Sequence, residues 1–156
     1  MNSSQQTRTD TVLRKEVKVL FLDIDGVCNS RSTLQRSQRS GSILGMDPYL
    51  AFLVGKIQLD TDCVIVLSSS WRHSPEGVKE VKSHFNLYGM TPTAQSGIRG
   101  NEIALWLSQH PEVTRYAILD DDRDMLVEQA PNFFKTTFEE GLTPEIANAV
   151  TEHLNG

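Results

Sequence analysis

One stretch, Val17-Lys18-Val19-Leu20-Phe21-Leu22-Asp23-Ile24-Asp25-Gly26-Val27, limits the folds open to this chain more than any other. Its first six residues read as a buried strand, apolar at nearly every position. Asp23 and Asp25 follow two residues apart, and Gly26 comes directly after them. Residues i and i+2 of a strand share a side, but the backbone is expected to leave strand geometry around Asp23. Both acids then stand at the strand's carboxyl edge, where open α/β sheets bind their ligands. A core strand accounts for residues 17–22 and leaves the acids unexplained, because two neighbouring carboxylates repel and need a cation or a shared proton.

The rest of the chain alternates helices with short apolar runs. Asp47-Pro48, Ser74-Pro75 and Thr143-Pro144 each set a capping side chain before a proline suited to the first helical position. Behind them lie Leu50, Leu53, Val54 and Ile57; Val78, Val81 and Phe85; and Ile146, Val150 and Leu154, each set giving one apolar face. A fourth helix is expected from about Asn101, burying Ile103, Trp106 and Leu107 and stopping before Pro111. Val64–Leu67, Tyr116–Leu119 and Phe133–Thr136 read as further strands. This interleaving predicts a three-layer, doubly wound α/β fold with a mostly parallel sheet covered on both faces.

Two of these strands end in polar clusters, Ser68-Ser69-Ser70-Trp71-Arg72 and Asp120-Asp121-Asp122-Arg123-Asp124. With Asp23 and Asp25 they bring three strand ends to one chemistry. Clustered carboxylates suit a hard cation such as Mg²⁺, and no thiolate or histidine cluster offers a zinc site. The serines can bind phosphoryl oxygens, Arg99 or Arg72 can offset their charge, and one carboxylate can act as nucleophile while its neighbour moves the proton. Asp122 and Asp124 fit a helix start as well as a metal role. A glycine-rich lysine loop of the P-loop type is absent from the sequence.

Composition limits the partners and the compartment. A chain of 156 residues suffices for one ordinary core, and a formal net charge of −5 argues against general coating of polyanions. Two cysteines, Cys28 and Cys63, fit small core residues in a reducing, cytoplasmic setting. The polar residues 1–15 read as a disordered lead-in with no signal or membrane segment, followed by one domain over 16–156. Residues 28–46 hold Arg31, Arg36 and Arg39 and no acid. That segment is expected to be a solvated loop or a mobile flap whose arginines draw in an anionic substrate.

Phe21-Leu22-Asp23-Ile24-Asp25-Gly26-Val27 resembles the first motif of the haloacid dehalogenase (HAD) superfamily. Val66-Leu67-Ser68-Ser69 is similar to its second motif, Arg99 stands where its third usually has lysine, and Ile118-Leu119-Asp120-Asp121 resembles its acidic fourth. The resemblance implies a HAD-like Rossmannoid phosphatase with a minimal cap, Asp23 as nucleophile and Asp25 as general acid/base. It implies phosphate binding by Ser68 or Ser69 and Arg99, and Mg²⁺ held by Asp23, the main-chain carbonyl of Asp25, and Asp120 or Asp121. A receiver domain has its acidic pair before its phosphorylated aspartate, the reverse of the order here. Ser68-Ser69-Ser70-Trp71-Arg72, Arg99-Gly100-Asn101-Glu102-Ile103 and Gly141-Leu142-Thr143 are further similar to small HAD domains associated with RNA-repair proteins. That likeness implies a phosphorylated substrate, either a nucleic-acid 3′-phosphate end or a small nucleotide or metabolite. A catalytically inactive phosphate-binding module is the remaining alternative.

Overall fold

The computed structural model describes residues 16–156; the lead-in expected for residues 1–15 lies outside the described residues. Strand β1 (Val17–Leu22) sends Val19 and Phe21 to one face and Leu20 and Leu22 to the other, all fully buried. Burying each such side chain stabilises the fold by about 1.5–3 kcal/mol, which places β1 at the centre of the sheet. Strands β2 (Val64–Leu67), β3 (Leu87–Met90), β4 (Val113–Asp120) and β5 (Phe133–Lys135) complete an all-parallel sheet in the order β3-β2-β1-β4-β5. Strand order reverses at β1, so the crevice for a ligand opens at the carboxyl ends of β1, β2 and β4.

Helices cover both faces. On one, Leu20 and Leu22 pack with residues of α2 (Pro48–Thr61), α3 (Pro75–His84) and α5 (Pro144–Asn155), among them Val54, Ile57, Val81, Val150 and Leu154. On the other, α4 (Arg99–Ser108) lays Ile103 and Trp106 against Val19, Phe21, Val66 and Ile118. Trp106 meets Phe21 edge-on with ring centroids 5.5 Å apart, a core role. Asp47, Ser74 and Thr143 accept main-chain N–H bonds at the starts of α2, α3 and α5, as their proline-flanked positions predict. Cys28 and Cys63 are buried, and burial pushes both thiols above their ordinary value.

Residues 28–46 differ from the expected loop. Helix α1 (Arg31–Ser40) occupies most of the segment, with Ser30 and Thr33 forming a capping box and Gly41 closing it in the left-handed region at φ 73°. The Arg31 N–H also donates to the carbonyl of Phe138, tying the helix to the body of the domain. Arg31 pairs with Glu139 and Arg36 with Asp47, so two of the three arginines already have anionic partners inside the protein. The segment is thus largely helical where a loop or flap was expected, with two of its three arginines paired at the surface. Among the described residues, no helix is long and apolar enough to cross a membrane.

Candidate active site

Sheet register aligns the reactive residues. Leu22 pairs with Leu67 on one side and Leu119 on the other, so Asp23, Ser68 and Asp120 follow at the same level. The ladder runs one residue further: Asp23 N–H donates to Leu119 O and Ser68 N–H to Leu22 O, each at 3.0 Å. Beyond Asp23 the chain turns, with Val27 and Cys28 N–H both reaching Ile24 O. Gly26 takes φ 84°, and a Cβ there would lie 2.2 Å from Asp121 Oδ2. Glycine is thus needed both for the backbone conformation and for the space beside the acid.

Carboxylate oxygens of Asp23, Asp120 and Asp121 lie within 4.8 Å of one another, so both acids between which the sequence left the choice open stand beside Asp23. Arg99 enters from the start of α4: one guanidinium nitrogen donates to Asp120 Oδ2 at 2.8 Å and lies 3.3 Å from Asp23 Oδ1. Arg72, the other candidate cation, is occupied elsewhere. It donates to the carbonyls of Thr91, Ser68 and Ser69 and pairs with buried Glu102 at 2.9 Å. Neither Asp122 nor Asp124 joins the acid group. Asp124 accepts the Arg99 main-chain N–H at 2.9 Å and so holds the first residue of α4 in place, while Asp122 N–H donates to Asp120 Oδ1.

The two serines separate. Ser69 Oγ accepts from Trp71 N–H at the start of a 3₁₀ turn, Ser70–His73. Ser68 Oγ is buried and, like Thr91 Oγ1, has no hydrogen-bond partner among the described residues, so it is free to bond to a group entering the site. Asp25 stands apart from the acid group: Asn29 Nδ2 donates to its Oδ1 at 2.9 Å and Trp71 Nε1 to its Oδ2 at 3.2 Å. Asn29 also accepts from Gly26 N–H, so one side chain fixes both the turn and the acid. Asn29, Trp71 and Glu102 are supporting residues that the sequence reading did not single out for this site. Asn29 falls between two motifs, and Trp71 meets Asp25 only through the register of β1 and β2.

Residues 19–147 match the family described as the HAD domain in Swiss Army Knife RNA repair proteins. The chain belongs to this HAD family. No curated protein and no solved structure matches it. Family membership supports a HAD-type phosphatase in general, and the acid group of this HAD domain has the donor chemistry of a hard-cation site.

Electrostatics of the HAD domain point the same way. Burial first, and then the charge of Asp120, push Asp23 up to about 7 against the pull of Arg99. Burial and Asp23 raise Asp121 to about 6. Burial opposes the charge on Arg99, yet Asp120 and Asp23 together hold it above its ordinary value. An acid raised in the folded state binds its proton more tightly there than in the unfolded chain, so it favours folding at low pH. That contribution is lost as pH rises from about 4, the unfolded value, to about 7. In EDTA the melting temperature is expected to fall by a few degrees across this window, and Asp23→Asn should flatten most of the fall. Mg²⁺ at neutral pH should raise the melting temperature by binding the ionised native state. An unchanged slope in Asp23→Asn, followed by differential scanning fluorimetry, would contradict this origin.

Proposed function

We propose that this HAD domain hydrolyses phosphate monoesters through an aspartyl-phosphate at Asp23. The observation that carries the reading is the division between its paired acids. Asp23 sits in the acid group beside Arg99 and near the unpartnered Ser68 end of β2, whereas Asp25 is held separately by Asn29 and Trp71. Acids kept in different environments can take different roles. Ser68 Oγ–H, Ser69 N–H and Arg99 would hold the phosphoryl oxygens. Asp23 Oδ attacks phosphorus in line, the ester P–O bond breaks, and Asp25 gives its proton to the leaving alcohol. Asp25 then takes a proton from water as the water attacks the phosphoenzyme, which releases phosphate and restores Asp23. Mg²⁺, held by Asp23, Asp121 or Asp120 and the main-chain carbonyl of Asp25, would supply charge neutralisation at the phosphoryl group.

The substrate we infer is a terminal phosphate on a nucleic acid, by preference a 3′-phosphorylated RNA or DNA end. The family's association with RNA repair supports this, as does a site beside which only the short α1 segment stands in place of a large cap. Phosphate release from a 3′-phosphorylated oligonucleotide and from the matching mononucleotide, each in Mg²⁺ and in EDTA, tests the reading. Mg²⁺-dependent turnover with the oligonucleotide preferred is the expected result. Consistent preference for the mononucleotide would transfer the activity to small nucleotide or metabolite phosphates. No turnover of either, with phosphate still bound, would make the domain an inactive phosphate-binding module.

A further inference from the structure

A groove of about 790 Å³ opens directly beside Asp25, between the chain at Ile43–Gly45 and the start of α3. Its volume lies in the range of small-molecule sites, roughly 300–1,000 Å³. Asp25 forms part of its wall, next to Trp71, whose indole N–H is bonded to that same carboxylate. Ile43, 93% exposed, and Leu44 supply an apolar rim. Glu76 and Glu80 line it from α3, and no lysine or arginine does. The cations of α3, Lys79 and Lys82, border a different groove with His73.

This placement has a chemical consequence that rests on the phosphatase reading above. The group that protonates the leaving alcohol must touch it, so the alcohol's own body has to lie on the Asp25 side of the scissile bond. An aromatic and apolar lining suits a flat ring, and carboxylates can accept from the N–H groups along a base edge but repel a second phosphate. We propose that the groove is the leaving-group subsite and takes the terminal nucleoside's base, with the phosphodiester on the 5′ side of that nucleoside kept outside it. The occupant is thus the uncharged, ring-bearing part of the substrate, and selectivity comes from the base more than from the backbone.

Two 3′-phosphorylated oligonucleotides of equal length and charge test this, one with a normal terminal nucleoside and one with an abasic tetrahydrofuran, which cannot lose phosphate by elimination, in its place. Contacts to a single unstacked base are commonly worth tenfold or more in affinity. The base-bearing end is expected to have kcat/KM at least about tenfold higher. Ile43→Ser, a change at an exposed side chain with little consequence for folding, should narrow the gap by slowing the base-bearing substrate and leaving the abasic one unchanged. Equal kcat/KM for the two ends in the wild-type domain, or an equal loss on both in Ile43→Ser, would overturn the subsite. Failure to hydrolyse either oligonucleotide or p-nitrophenyl phosphate in Mg²⁺ would instead remove the phosphatase reading, and the subsite with it.

Discussion

Asp23→Asn is expected to lower kcat by roughly 10⁴- to 10⁶-fold, the scale on which hydrolases lose turnover when a covalent nucleophile is removed. Asparagine has nearly the same shape, so the strand end and the bond from Asp23 N–H to Leu119 O should persist. Its amide cannot form the acyl phosphate. The same substitution removes one of three mutually repelling acids, and the remaining Arg99–Asp120 pair at 2.8 Å keeps its partner. The variant should therefore melt higher than wild type in EDTA at pH 7 while being nearly inactive. A functional residue that costs stability is expected to give this opposite pair of effects. Retention of more than about one part in a hundred of the Mg²⁺-dependent rate, in a preparation free of contaminating phosphatase, would show that Asp23 is not the nucleophile.

What could be read from the sequence follows from which interactions are local. The strand ending in Asp23, the proline-marked starts of α2, α3 and α5, and the acids after β4 each carry their own signal in a few adjacent residues. Helix α1 carries almost none, since Arg31–Ser40 has Leu34 as its one apolar residue. It is held by the Ser30–Thr33 box and by the bond from Arg31 N–H to Phe138 O, and only the box lies within neighbouring residues. Strand β3, absent from the expected elements, is a half-exposed edge of four residues. Its Gly89 sits where a Cβ would come within 3.3 Å of the Trp106 indole, so packing with α4 decides that residue and strand propensity does not.

At the site, the choice between Arg99 and Arg72 and between Ser68 and Ser69 was open because composition makes each pair equivalent. Three-dimensional bonding separates them. Arg72 is buried against Glu102 and four main-chain carbonyls and Ser69 caps the 3₁₀ turn, whereas Arg99 bonds to Asp120 and Ser68 Oγ has no partner among the described residues. The support of Asp25 is likewise long-range. Trp71 lies 46 residues away in sequence and reaches Asp25 because β1 and β2 pair as Leu22 with Leu67.

Asp25→Asn should divide the two half-reactions in a way that depends on the leaving group. Loss of a general acid typically costs roughly 10²- to 10⁴-fold, and the cost should fall on esters of poor leaving groups, whose alkoxide needs the proton. From a 3′-phosphate end the nucleoside leaves as its 3′-alkoxide, so this ester should show the full loss. p-Nitrophenolate leaves readily without protonation, so its release in the first step should be slowed far less. On the proposed mechanism, hydrolysis of the phosphoenzyme still requires Asp25 as base, so the intermediate at Asp23 should accumulate. Rapid mixing of Asp25→Asn with p-nitrophenyl phosphate is then expected to release a burst close to one equivalent of nitrophenolate per enzyme, followed by slow turnover. Asparagine can still accept from Trp71 Nε1 and Asn29 Nδ2 through its single carbonyl oxygen, though not from both in the present geometry, where each donor meets a different carboxylate oxygen. Some reorientation of the side chain is therefore expected, and it would slow both esters equally. The difference between them isolates proton transfer. An identical loss for the alkyl and nitrophenyl esters with no burst would assign Asp25 to positioning the turn at Gly26 and leave the general acid to be sought elsewhere.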